Sequence, residues 1–450
     1  MKGSAMPAAS TTSSTSTSTT SASTSASADH RGAAPVGVIV DGYSVGKYLP
    51  AAFRRLGADV VHLQSTPEFL DCVPPPDLRP YLANVVQDAA DPARTVKELA
   101  SYHPCGVLPG QETGVPPADR TAELLGLPGN PSATSALRRD KYRMIEALRA
   151  AGIRCADQLK SGDVQEVLAW ARTTGYPVVV KPLSSASTDK VSVCSGPDEV
   201  RAAAAEILGS RDIFGRHNDE LLAQSFLDGT EYIVDVIRGP GGARHVCGVW
   251  RYDKTLVGTR PVYDRDVLID PGAPVVEPLV TYLDTVLDAL DIRFGAAHAE
   301  IMMTAAGPVL VEVGARLDGI MDPGHHDSCL DGNQADLLAL ACVRPDEYRR
   351  RHPGDTLYRK HHEGIVVHVR TTRGGLVEAV DEEALARIRA LDTVHLAVPR
   401  LAPGDRMRPT TDLLSSPLRV FLTGDSPQRL LADHRRIRLL ADDVFRLAPN

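Results

Sequence analysis

His298-Ala-Glu-Ile-Met-Met-Thr-Ala-Ala-Gly-Pro-Val-Leu-Val-Glu312-Val-Gly-Ala-Arg316 sets two acids and an arginine at the ends of two apolar runs. Val309 to Val313 reads as a short buried strand, and Gly307-Pro308 as the tight connection from a preceding strand that carries Glu300. Two antiparallel neighbours of this kind hold Glu300 and Glu312 close together. Like charges so placed are costly unless a cation lies between them, and hard carboxylate oxygens suit Mg2+ or Mn2+. Arg316, four residues past Glu312, adds a fixed positive fork for a phosphate or an oxyanion. By the two-residue period of a strand, His298 shares a face with Glu300 and lines the same pocket. A plainer reading makes both glutamates solvent-facing and pairs the arginine with one of them. Other segments decide between the two.

Tyr176-Pro-Val-Val-Val-Lys181-Pro-Leu-Ser184-Ser185-Ala-Ser187-Thr188-Asp189-Lys190 is an apolar run that ends in lysine and continues in small hydroxylated residues. Such a strand delivers an ammonium group, and the loop after it offers backbone amides to polyphosphate oxygens. Glu220 to Ile237 reads as a strand, a short polar break and a second strand, and the break offers donors and acceptors to a purine edge. Asn130-Pro-Ser132-Ala-Thr134 starts a helix that carries Asp140 and Lys141 and ends at Gly152. On that evidence alone Lys141 is an exposed helix residue.

Taken in order, Asp140-Lys141-Tyr142, Val-Val-Val-Lys181-Pro, Gln224-Ser-Phe-Leu-Asp-Gly-Thr-Glu231, and Glu300 with Glu312 and Arg316 resemble the ATP-grasp ligases. His298-Ala-Glu300-Ile and Glu312-Val-Gly-Ala-Arg316-Leu-Asp-Gly319 look most like the bacterial L-amino-acid ligases, which join two free amino acids. The resemblance runs from about Val36 to near the C-terminus. It implies an α/β and α+β chain: an ATP-grasp fold with an N-terminal Rossmann-like (pre-ATP-grasp) domain and a C-terminal α+β domain. It implies ATP as cosubstrate, with Lys141, Lys181 and the loop of Ser184, Ser185, Ser187 and Thr188 at the phosphates. Gln224, Phe226 and Leu227 would take the adenine and Glu231 the ribose. Glu300 and Glu312 match the magnesium ligands, and Arg316 with Lys181 the catalytic pair. The activity implied is amide or peptide bond formation between amino-acid-like substrates through an acyl phosphate. A biotin-carboxylase-like enzyme and an inactive nucleotide-binding module are the alternatives.

Departures from the pattern are local. The phosphate loop lacks the glycines that many relatives carry there, which reduces its backbone freedom. Gly314 stands where an asparagine often follows the second acid. Ile320, after Gly319, stands where some dipeptide-forming relatives have a bulky aromatic, which points to a roomier substrate site.

The remaining expectations frame the chain. Its 450 residues, 43% hydrophobic and 24% charged, suffice for a large core and about three domains. A net charge of -8 and pI of about 6.0 with no basic cluster argue against nucleic acid as a partner and fit ATP and small charged substrates, which the resemblance makes a small-molecule carboxylate and amine. Seven scattered cysteines without a C-x-x-C pair imply reduced thiols in a cytoplasm. No run approaches 18 apolar residues, so no membrane span is expected. A homodimer is the commonest assembly for such an enzyme. Residues 1–34, rich in serine, threonine and alanine, read as a disordered tail with neither transit nor secretory character. Residues 35–135 read as a βαβ domain, 136–217 as a lid, 218–345 as the catalytic part and 346–450 as an α+β domain. Asp41-Gly-Tyr-Ser-Val-Gly46 is not a dinucleotide fingerprint. Glu112, beyond the strand at Gly106-Val-Leu-Pro, reaches a substrate amine or caps a helix. Asp253 to Asp270 reads as a loop over the site, with Lys254 and Arg260 facing phosphate or substrate. Asp322, His325, His326 and Asp327 fit no standard zinc spacing and read as a substrate loop.

Overall fold

Val36–Val40 is buried along its whole length because it is the centre of a parallel sheet. The order of that sheet is Asn84–Val86, Asp59–Gln64, Val36–Val40, Pro104–Pro109. The computed structural model describes residues 34–71, 73–184, 188–213 and 215–449. The expected tail up to residue 33, and Ser185 and Ser187 of the phosphate loop, lie outside the described residues. At the carboxyl edge of this sheet three glycines replace a fingerprint loop. A Cβ on Gly110 would lie 2.4 Å from the Asp41 carbonyl oxygen, and one on Gly46 2.7 Å from the Gly110 Cα. Only hydrogen fits there, so the two loops close on each other and aim Gln111 and Glu112 toward the rest of the chain.

The main body is a nine-stranded sheet whose path begins with the quoted hairpin. Gly307–Gly314 pairs with Gly295–Thr304, which pairs with Gly229–Arg238, then come Arg244–Val257, Arg260–Leu268, Glu363–His368, Leu418–Gly424 and Val394–Pro399. Helix Val276–Ala289 covers one face through Leu279, Leu283, Val286 and Leu287, all fully buried. A smaller antiparallel sheet, in the order Gln158–Ser161, Leu221–Ser225, Val178–Pro182, Ser192–Cys194, carries helices Val164–Thr174 and Pro197–Ile207 on an aliphatic core of its own. Both helices fall within residues 136–217, the span expected to form a lid.

Several expectations change here. Leu221–Ser225 belongs to the lid sheet, whereas the boundary drawn at 217/218 put it in the catalytic part. Of the strands after residue 345, Thr356–Leu357, Glu363–His368, Val394–Pro399 and Leu418–Gly424 join the main sheet, while Gly375–Val380, Arg406–Met407 and Phe445–Leu447 form a three-stranded sheet of their own. Apolar periodicity reveals a strand but not its neighbour. Residues 253–270 form a hairpin of two strands turning at Gly258, where φ is +61°, and not a loop. The helix expected through Asp140 is two pieces, a 3-10 turn Ser132–Arg138 and a helix Lys141–Ala150 whose Asp140 side chain caps the Arg143 amide. Asp322, His325, His326 and Asp327 lie on or beside helix Pro323–Cys329, with both histidines buried, so they form no substrate loop.

Among the described residues no helix is long and apolar enough to cross a membrane. Six described cysteines are free.

Two buried polar groups stabilise the junctions. Arg138, with a side chain 0% exposed, pairs with Asp119 at 2.7 Å and donates to the carbonyls of Leu290 and Pro131 at 2.8 and 2.7 Å. Removing one side of such a pair strands the other charge. Arg138→Ala is therefore expected to lower the unfolding free energy by about 3–5 kcal/mol in urea titrations; a loss under about 1 kcal/mol would show that Asp119 finds other compensation. His325 donates from Nε2 to the Leu422 carbonyl at 2.9 Å, and burial, then neighbouring His326, lowers its pKa from 6.5 to about 3. The native state thus requires a neutral ring, and this stability is complete above pH 6.5 and drains away as pH falls toward 3. Urea midpoints taken from pH 7.5 down to 4.5 should fall, and His325→Gln, which keeps a donor but cannot be protonated, should flatten the fall.

Candidate functional site

Glu300 and Glu312 stand directly opposite each other in the hairpin. A bulge between Glu300 and Ile301 leaves Val311 as an extra residue on the facing strand, so Val311 and Glu312 both face a cavity of about 1400 Å3 while Leu310 and Val313 face the core. Strict alternation would have missed that shift. Lys141, first residue of its helix, ion-pairs with the Glu312 carboxylate. Burial works against ionisation of Glu312, but Lys141, then Lys181 and Arg316, outweigh it and bring its pKa to about 2. Lys181, on the lid strand Val178–Pro182, is buried; burial first and Lys141 second lower its ammonium to about 8. Two lysines from different layers therefore converge on the acid pair.

Arg316 places Nη2 2.8 Å from Glu112 Oε1, and Arg139 ion-pairs with the other carboxylate oxygen of Glu112. Burial raises the Glu112 pKa, yet Arg316 and Arg139 together hold it below the usual carboxylate range. Glu112 is thus the anchor of Arg316, neither a helix cap nor an open partner for an amine. Gly314 makes room for this pair: a Cβ there would lie 2.8 Å from Glu112 Oε1 and 3.0 Å from Arg316 Cζ. The side chain absent at 314 is thereby accounted for by packing.

At the other end of the cavity, the break between Leu221–Ser225 and Gly229–Arg238 brings Gln224, Phe226 and Leu227 to the wall. Phe226 is 40% exposed, an unusual placement for a large ring and suited to a flat partner. Gln224 is steadied by Gln158 at 3.1 Å. Glu231 is buried and holds Lys254 Nζ at 2.7 and 2.8 Å, with that ammonium 4.2 Å from the Tyr263 ring centroid. Lys254 thus lines the cavity, as expected, but through a carboxylate. Arg260 instead joins the hairpin tip to the lid through the Val191 carbonyl and Glu206. In the glycine-poor loop, Thr188 and Lys190 take φ of +59° and +53°, a left-handed turn made without glycine. Thr188 reaches the cavity wall and Ser184 does not, while Lys190 donates to Ser210 Oγ and the Arg211 carbonyl.

His298 lines the cavity beside Glu300, as its strand period requires, but it is buried among acids that the sequence did not single out. Nδ1 lies 2.8 Å from Asp235 on the adjacent strand and 3.6 Å from Asp318, and Nε2 lies 3.7 Å from Glu300. Burial disfavours its charge, yet Asp318, Asp235 and Glu300 raise its pKa well above normal. Burial, then Asp318, lifts Asp235 to about 6. Asp318 sat in plain sight, two residues beyond Arg316; Asp235 was hidden in an apolar strand. Gly319 and Ile320 line the cavity, as expected, together with Arg400 and Arg419 from the C-terminal region, which no motif pointed to.

Comparison with known proteins fits this geometry. Residues 174–323 match the ATP-grasp domain model. The chain is 34% identical over 420 residues to dapdiamide A synthase of Enterobacter agglomerans, covering 91% of this chain and 96% of that one. It is 31% identical over 153 residues to a D-alanine–D-alanine ligase of Halalkalibacterium halodurans, 33% of this chain and 46% of that one. In fold it is similar to the L-amino acid ligase of Bacillus licheniformis, with a TM-score of 0.72 at 19% identity over 92% of this chain and 99% of that one. Likeness along nearly the whole of both chains at 34% identity shows the family: this chain belongs to the ATP-grasp enzymes, ATP-dependent ligases that join a carboxylate to an amine.

Proposed function

We propose that the chain activates the carboxyl group of one amino-acid-like substrate with ATP and joins it to the amine of another, at the wall formed by Glu300, Glu312 and Arg316. The observation that carries this reading is the direct opposition of Glu300 and Glu312 with Lys141, Lys181 and Arg316 converging on it. The adenine lies at Gln224, Phe226 and Leu227, the ribose at Glu231, and the phosphates at Lys141, Lys181 and Thr188, all of which line one cavity. The donor set suits a divalent cation: two facing carboxylates supply hard oxygen ligands. Glu300 and Glu312 would hold Mg2+, which when bound supplies neutralisation of phosphate charge.

A carboxylate oxygen attacks the γ-phosphorus, ADP leaves, and an acyl phosphate forms. The amine nitrogen then attacks the carbonyl carbon, phosphate leaves, and the nitrogen sheds a proton. Arg316, fixed by Glu112, faces the oxygen on which charge develops in both steps, where a preorganised cation is worth most. The smaller sheet and the main sheet, which both line the cavity, would keep water from the acyl phosphate. The likeness to dapdiamide A synthase supports amino-acid-like substrates over bicarbonate.

Supplying ATP, Mg2+ and pooled L-amino acids and following phosphate release, with mass spectrometry of the products, tests the reading. Amine-dependent release with a condensed product is expected. Bicarbonate-dependent release would instead indicate a carboxylase, and nucleotide binding without release an inactive module. Arg316→Met should cut turnover by roughly 100- to 1000-fold, and Glu300→Ala with Glu312→Ala at least as much. Unchanged turnover in the double variant would overturn the assignment of the acid pair.

A further inference from the structure

Arg419 is a guanidinium with no counterion. It sits on Leu418–Gly424, the strand between Glu363–His368 and Val394–Pro399, and it lines the cavity wall together with Gly319 and Ile320. Among the described residues it makes no ion pair, and its Nε is buried without a hydrogen-bond partner. The acids nearest in effect each also face a histidine. Asp266 accepts from His368 Nε2 at 2.8 Å, and Asp318 lies beside His298. Arg400 reaches the same wall, held by the carbonyls of Leu413 and Ser416, so a second cation adds to the first. Burial lowers both below the usual guanidinium range; at Arg400 the neighbouring Arg419 adds to it and the value falls to about 10, while at Arg419 Asp266 and Asp318 offset part of the effect. Val45, Ile320, Val398 and Leu413 give the same cavity apolar lining.

This differs from three of the other cations at the site. Lys141, Lys254 and Arg316 each have a carboxylate of their own. A positive charge removed from water with no partner is costly, and a site that keeps one has an anion to receive. Arg presents a planar fork that matches a carboxylate in two hydrogen bonds.

We propose that Arg419, assisted by Arg400, binds a substrate carboxylate that is not the one being activated, with the apolar surface taking the side chain beside it. This rests on the ligase reading above and adds a substrate class: an amino acid that keeps a free carboxylate through the reaction. That group is either the α-carboxylate of the amine substrate or a second carboxylate on the acid substrate.

The test takes the productive pair of amino acids found by the survey and replaces, one at a time, each non-reacting carboxylate by its carboxamide. Wild-type enzyme should reject one of the carboxamides on the order of a hundredfold in kcat/KM, and the substrate concerned identifies the source of the carboxylate. Arg419→Met should bring that ratio toward one and leave the KM for ATP as it was, whereas Arg419→Lys should restore part of it. A ratio near one for both substrates in wild type, or a ratio unchanged in Arg419→Met, overturns the proposal. Succinate needs no turnover to bind, so its stabilisation of the protein against heat provides a separate reading. Wild type should gain more than Arg419→Met, and equal gains overturn the proposal. Total absence of phosphate release with every pair would count against the ligase reading alone, since the succinate comparison still decides on Arg419.

Discussion

The two carboxylates of Glu300 and Glu312, facing each other across one hairpin, set the constraint that the surrounding structure answers. Two acids in a half-buried wall repel each other and resist burial, so positive charge must be brought to them. The chain does this from three directions. Lys141 comes from a helix packed against the main sheet, Lys181 from the lid, and Arg316 from the loop that leaves the hairpin. Each cation is in turn fixed by something else: Asp140 caps the Lys141 helix, Val178 and Val180 anchor the Lys181 strand in the core of the smaller sheet, and Glu112 holds Arg316. The N-terminal sheet contributes to the site chiefly through that last contact, which explains why its carboxyl edge is packed glycine against backbone.

How much of this was legible follows from what a side-chain pattern encodes. The hairpin, the hinge strands and the lid helices showed in apolar periodicity and in Gly or Pro punctuation, which are local. Helix Val164–Thr174 appears where its pattern placed it. The acid pair showed because charged residues at the ends of apolar runs are conspicuous. Partners that meet only in three dimensions did not show. Asp235 lies inside an apolar strand and meets His298 only because two strands pair in one register. Arg138 read as one more basic residue before a helix, yet it is fully buried against Asp119. Arg400 and Arg419 lie about a hundred residues beyond Arg316 and reach the cavity because strands after residue 345 extend the main sheet.

The same logic explains the errors. A polar segment with prolines, 253–270, looked like a loop, but its alternate residues serve two different neighbours and its strand order is set by pairing on both sides. His325 and His326, set beside aspartates, read as part of a substrate loop. In the fold they pack on Trp250 and Phe421, and burial keeps both depressed, so they are core residues with one hydrogen bond to spare.

The ion pairs also indicate how the two ends of the cavity differ in kind. At the nucleotide end Lys141 and Lys254 already have carboxylates, so an arriving phosphate would exchange one anion for another there, and Glu312 would be freed to hold a divalent cation. The energetic change is a rearrangement of pairs that exist, which costs less than creating charge in a buried wall. At the far end no such exchange is available to Arg419. Binding there gains the full match of a cation with its first anion, so discrimination among substrates concentrates at that end while the phosphate chemistry remains common to the family. The sheet that carries both ends is continuous, from the hairpin of Glu300 and Glu312 to the strand of Arg419, and it fixes the distance between the group activated and the group recognised.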